Sequence, residues 1–146
     1  MPTVNVIAPT LADFEELARQ ALEQIPPHFR AKIENVAIRI EEFPDAEVVA
    51  QMELESPFDL LGLYHGVSLD QKSHFDAATE PDIIFLYRRP ILEYWCEGTD
   101  ALDAVVGHVL IHEIGHHFGF SDDDMAAIEA AMTAGQKRDL LRWRIQ

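Results

Sequence analysis

Residues 101–114 are apolar almost all the way round a helix, through Ala101, Leu102, Ala104, Val105, Val106, Val109, Leu110, Ile111 and Ile114. A helix of that kind buries itself on most sides. The rest of the chain must therefore cover it with a sheet or further helices. Yet its last turns carry His112, Glu113 and His116 in the pattern H-E-x-x-H. Two imidazoles and a carboxylate inside an apolar shell are costly without partners. A metal ion satisfies all three. His112 and His116, four apart, lie one turn above each other and can offer their rings to one ion. Glu113 sits about 100° further round. There it stays out of the ligand shell but close to the ion's open position, where a general base belongs.

The pattern extends to H-E-x-x-H-x-x-G-x-x-D with Gly119 and Asp122. Composition counting gives a chance H-E-x-x-H in this chain a probability of about 0.03. The two further residues lower it to about 0.0001. Gly119 reads as a left-handed helix stop, after which the chain can turn back and bring Asp122 to the ion. Asp122 also suits a helix N-cap, because Ser121-Asp122-Asp123-Asp124 opens a new helical pattern (Met125, Ile128, Met132). The two roles coexist if Ser121 is the cap and Asp124 its capping-box partner. Asp123 and Asp124 are the alternative third ligands. His108, one turn before His112, can serve as an alternative ligand or support the site. His117 points away from His112 and reads as a surface or core histidine. Nothing in the sequence ties His28, His65 or His74 to the site.

At 146 residues the chain is long enough for one domain with a core of its own, residues 1–146. The single cysteine, Cys96, allows no intramolecular disulfide and fits a reducing compartment. The first residues show no basic segment followed by an apolar one, and no stretch approaches a membrane span. These features predict a cytoplasmic protein. The net charge of −15 argues against nucleic acid and anionic membranes as partners, and leans towards basic or neutral substrates. The last ten residues differ, with Lys137, Arg138, Arg142 and Arg144 against Asp139. They read as a flexible basic tail or a solvated helix face, with partner binding as the alternative.

Helical spacing of Phe14, Leu17, Ala18, Ala21, Leu22 and Ile25 predicts a helix over 10–25, capped by Thr10 and Asp13 and stopped by Pro26-Pro27. Alternation over 36–41 predicts a half-buried strand. Residues 45–52 suit a short helix. A second strand spans 60–67, where Gly62 and Gly66 mark a bulge or a close backbone approach. Residues 68–80 read as a polar loop, and 82–88 as a third strand. Pro90 suits the first position of a short helix, and Thr99 or Asp100 the cap of the motif helix. The pattern is that of a small α+β domain with a short mixed sheet packed against the motif-bearing helix.

The segments Leu60-Leu61-Gly62-Leu63-Tyr64-His65-Gly66-Val67 and Pro81-Asp82-Ile83-Ile84-Phe85-Leu86-Tyr87-Arg88-Arg89-Pro90, followed by the motif, resemble the bacterial minimal zincins. The likeness covers roughly residues 10–133, with Ser68 where many relatives carry proline. It implies a reduced zincin fold. It implies Zn2+ held by His112, His116 and Asp122, with Glu113 as catalytic base in peptide hydrolysis. It also implies a peptide or protein substrate added as a strand along the edge of the 60–67 or the 82–88 strand. Tyr64, Tyr87, Arg88 or a spare histidine could steady the oxyanion. So short a chain has little room to deepen a cleft. The competing expectation is a non-proteolytic metal-binding or regulatory protein.

Overall fold

The structure, a computed structural model, describes residues 6–66, 82–121, 123–127 and 144–145. Helix α1 (Leu11–Gln24) begins at Thr10 with the expected capping box: the Thr10 hydroxyl accepts from the Asp13 amide, and the Asp13 carboxylate accepts from Thr10 N–H. α1 ends as expected before the proline pair, with Ile25 extended and Pro26 at ψ 140°. Pro27 then opens a four-residue helix, α2 (Pro27–Arg30), continued by a 3-10 turn over Ala31–Ile33. A proline lacks only an N–H that the first turn leaves unbonded anyway.

Strand β1 (Ala37–Glu41), helix α3 (Ala46–Gln51, capped by Asp45), strand β2 (Leu60–His65) and strand β3 (Ile83–Tyr87) follow. Helix α4 (Arg88–Glu97) starts two residues before the proline that was expected to open it. Pro90 is its third residue and still within the first turn, where no carbonyl waits for its missing N–H. Helix α5 (Leu102–Phe118) carries the motif. The Ala101 carbonyl accepts from Ala104 and Val105, so Ala101 stands at its N-cap rather than Thr99 or Asp100. The predicted loop at 68–80 lies outside the described residues.

The sheet is mixed, in the order β1-β3-β2-β4, where β4 is Arg144–Ile145. β1 runs parallel to β3, and β2 antiparallel to β3 with Gly62 opposite Leu86 and Tyr64 opposite Ile84. β3 is therefore central. It is not a free edge for a substrate strand, contrary to one of the two expectations. The fourth strand was not foreseen. Arg144–Ile145 (β4) lies parallel to β2 at Leu60 and Gly62, where the sequence suggested a solvated helix face.

Alternation along β3 divides the interior. Ile84 and Leu86 join the main core with Phe14, Ala18 and Ala21 of α1 and Val105, Val106, Val109 and Leu110 of α5. Phe85 and Tyr87 turn to the other face, where Leu54, Leu60 and Leu63 meet α3. The all-round apolar character of α5 follows: it is enclosed by α1, α4 and the sheet. Full burial of Phe14 alone stabilises by about 2–3 kcal/mol.

One buried cation ties the start of the chain to this frame. Arg88 Nε donates to the Pro9 carbonyl at 2.6 Å, and Nη1 donates to Glu42 at 2.8 Å. Glu42 remains partly in water and can be resolvated, which limits the loss when the pair is broken. Arg88→Met is expected to lower unfolding stability by about 1–3 kcal/mol in thermal melts, because the Pro9 carbonyl loses its charged donor. An unchanged melting temperature would show that this bond contributes nothing.

Candidate metal centre

Glu113 is the feature around which the centre is built. It is 0% exposed, although it carries a carboxylate in the middle of the core. β2 comes in unusually close on one side. A Cβ placed on Gly62 would lie 3.4 Å from Glu113 Cγ and 2.7 Å from Val109 Cγ1. Glycine at 62 thus lets the strand backbone press on the helix at the glutamate, the close approach its position in a strand had signalled. The strand's alternation slips here. Leu61 packs in the main core, yet Gly62 also faces α5.

Burial pushes the Glu113 carboxyl well above its ordinary value of 4.5. The Tyr64 backbone amide on β2 pulls the other way and only partly offsets this. It stops short of full hydrogen-bond geometry, so neither carboxylate oxygen has a hydrogen-bond partner among the described residues. A buried carboxylate in that condition is costly and needs an external partner. A cation with its water meets that need.

His112 precedes it, half-buried, with the His108 ring lying nearly parallel at a centroid distance of 6.2 Å. His108 is thus beside the expected ligand, as the one-turn spacing implied. The backbone of His116 lies on α5 one turn beyond His112. Its side chain, that of His117, and Asp122 lie outside the described residues. Among the described residues no three potential metal ligands converge.

What surrounds Asp122 is described, and it follows the sequence closely. Gly119 has φ 68°, and Phe120 N–H donates to the Gly115 carbonyl at 2.9 Å. That is a left-handed glycine stop with a six-residue backbone closure. Ser121 then caps the next helical segment (123–127). Its hydroxyl accepts from Asp124 N–H at 3.2 Å, and Asp124 accepts from Ser121 N–H at 3.4 Å. The capping role is taken by Ser121 and Asp124. Met125 folds back on α5, where a Cβ on Gly115 would sit 2.1 Å from its sulfur. That contact was not foreseen. A glycine between the two motif histidines was its only trace in the sequence.

The candidates for steadying an oxyanion fare differently. Arg88 is committed to Pro9 and Glu42. The Tyr64 hydroxyl is hydrogen-bonded to Asp82, and burial together with that carboxylate drives the phenol above its usual range. Tyr87 is buried beneath the sheet and stacks on Phe85. Burial, then the charges of Asp45, Glu41 and Glu113, hold its phenol protonated.

The residues present therefore suit a divalent metal. They include a half-buried imidazole, a second histidine one turn on, and a buried carboxylate whose oxygens are unpaired among the described residues. Among the described residues no helix is long and apolar enough to cross a membrane. No curated protein matches the chain. The model of a family described as zincin-like metallopeptidase matches residues 33–132, more than half of the sequence. The chain belongs to the zincin-like metallopeptidase family.

Proposed function

We propose that the protein is a zinc-dependent peptidase in which His112, His116 and Asp122 hold the ion and Glu113 is the general base. The observation that carries this reading is the Glu113 carboxylate, buried on the motif helix with both oxygens unpaired among the described residues. A metal site that is only structural has no use for a free carboxylate there, whereas peptide hydrolysis needs one. Bound zinc would supply Lewis acidity towards the peptide carbonyl and bring the pKa of a water to about 7. Glu113 takes a proton from the attacking water and returns it to the departing amine. His108, stacked on His112, holds that ring's orientation. We further read the chain as cytoplasmic, on its single cysteine, and its substrate as a peptide or protein.

A non-proteolytic metal-binding role is the second reading. It draws support from β4, which already lies on the edge of β2 beside the candidate centre.

Protein purified without added metal should contain about one zinc per chain by elemental analysis, the stoichiometry of a three-ligand site. His116→Ala and Asp122→Ala should each lose most of it. Equal zinc in wild type and His116→Ala would remove the metal centre. Loss from Asp124→Ala but not Asp122→Ala would move the third ligand.

A further inference from the structure

An apolar groove of about 560 Å3 lies open on α3, lined by Phe43, Pro44, Val49, Ala50, Leu54 and Pro57. Phe43 is 37% exposed, so part of an aromatic ring is left to water. The surroundings of the groove are fixed. Asp45 caps α3, and a Ser56–Asp59 capping box holds the 3-10 turn Pro57–Asp59. The Phe43 and Phe58 rings meet edge to face at 5.0 Å. A surface held in this way needs little reorganisation to receive a ligand.

Charge indicates the kind of partner that fits. Residues 41–59 hold seven carboxylates and no basic side chain. Asp45 and Asp59 cap helical turns, and Glu42 faces Arg88 and Arg89. Glu41, Glu47, Glu53 and Glu55 remain exposed. A second copy of the chain, with the same rim and the same net charge of −15, would be repelled. An apolar side chain with lysine or arginine beside it suits both floor and rim.

Glu53 adds an observation that does not depend on charge. Leu54 N–H donates to the Val49 carbonyl at 3.0 Å, and Glu53 N–H to that of Ala50 at 3.2 Å. Such a helix end puts the residue between them in the left-handed region, and Glu53 has φ 54°. Glycine is at ease there and glutamate is not. Glu53 alone among the described non-glycine residues has a positive φ, and it lines the groove.

We propose that this groove is a docking site for a short segment of a partner protein in which a large apolar residue is flanked by lysine or arginine. The site goes beyond the peptidase reading. α3 packs on the Phe85–Tyr87 face of the sheet, opposite α5, so docking uses neither Glu113 nor a metal.

The probe is a fluorescein-labelled synthetic peptide with leucine and phenylalanine between lysines, followed by fluorescence anisotropy on the full-length chain. Ala50→Gln fills the groove with a neutral amide from an exposed helical position that tolerates glutamine. It should weaken binding about tenfold or more. Glu53→Gly should weaken binding about threefold, the scale of one exposed charge, while melting at the wild-type temperature or higher. Glu34→Gln, which removes a charge beyond the opposite end of β1, and Glu113→Gln should bind as the wild type does. A peptide with serine in place of its apolar residues should bind about tenfold more weakly. No binding by the wild type, or wild-type affinity in Ala50→Gln, overturns the proposal. Equal affinity for the serine peptide, or an equal loss in Glu34→Gln and Glu53→Gly, does the same, since the attraction would then be to the acidic surface at large. So does a wild-type dimer that Ala50→Gln dissociates in sedimentation, because the groove would then belong to a second copy. Groove-dependent binding by a chain that hydrolyses no peptide would leave the docking site standing and remove the peptidase reading instead.

Discussion

Glu113→Gln is expected to retain the full zinc content while lowering peptide hydrolysis about a hundred- to ten-thousand-fold, the usual contribution of a positioned general base. Glutamine keeps the shape of the side chain under Gly62 but cannot take a proton, so the ligands and the fold are undisturbed. Turnover that survives the change would point to a contaminating peptidase or to another base. The same substitution should act in the opposite direction on stability once the metal is removed. Burial raises the Glu113 pKa, so the folded, metal-free chain binds that proton more tightly than the unfolded chain. The corresponding stability is complete below the ordinary carboxylate value of 4.5. It is lost as pH climbs from there through the raised folded value. At neutral pH the wild type has given up stability that the glutamine variant, with no proton to bind, keeps, and Glu113→Gln should be more stable by about 1–3 kcal/mol. Below about pH 4 that advantage should vanish. Thermal melts of chelator-treated protein across this range check the sign. Parallel curves for the two proteins would mean that the carboxylate finds a partner in the metal-free fold.

Much of this centre was legible in the sequence because its determinants are local. The Thr10–Asp13 box, the Gly119 stop and the Ser121–Asp124 box each depend on residues within three or four positions of one another. All three appear as read. The burial of Glu113 also followed from local pattern, since a helix apolar on every side leaves a carboxylate nowhere to go. Strand order did not. The central place of β3 depends on parallel pairing between β1 and a segment more than forty residues later, which alternation within either strand does not encode. β4 was missed for a related reason. Basic residues spaced along a short segment suit a wet helix face as well as a strand, and only the partner Leu60–Gly62 decides between them. At α4 the two arginines before Pro90 enter the helix because a proline anywhere in the first turn removes no bond.

Gly62→Ala is expected to cost about 1–3 kcal/mol of stability, although it adds a single methyl group. That methyl would have to lie 2.7 Å from Val109 Cγ1 and 3.1 Å from the Phe85 carbonyl oxygen. The first neighbour is a stiff β-branched side chain in the main core, and the second is backbone of the central strand. Neither can yield without moving β2 away from α5. The displacement falls where Glu113 Cγ stands 3.4 Å away, so the base loses the packing that fixes its side chain on α5. Misplacing a catalytic group by about 1 Å can cost about a hundredfold in rate, and activity should fall more steeply than stability. Gly107→Ala on the same helix is the control. Its methyl would meet Ala21 Cβ at an ordinary 3.8 Å, and alanine in a helix interior should stabilise by about 0.5–1 kcal/mol. Chemical denaturation and peptide hydrolysis of the two variants, measured together, separate a general loosening of α5 from a specific insult at the glutamate. If Gly62→Ala unfolds with the wild type and hydrolyses as fast, the strand does not press on the helix at that point, and Glu113 owes its position to something else.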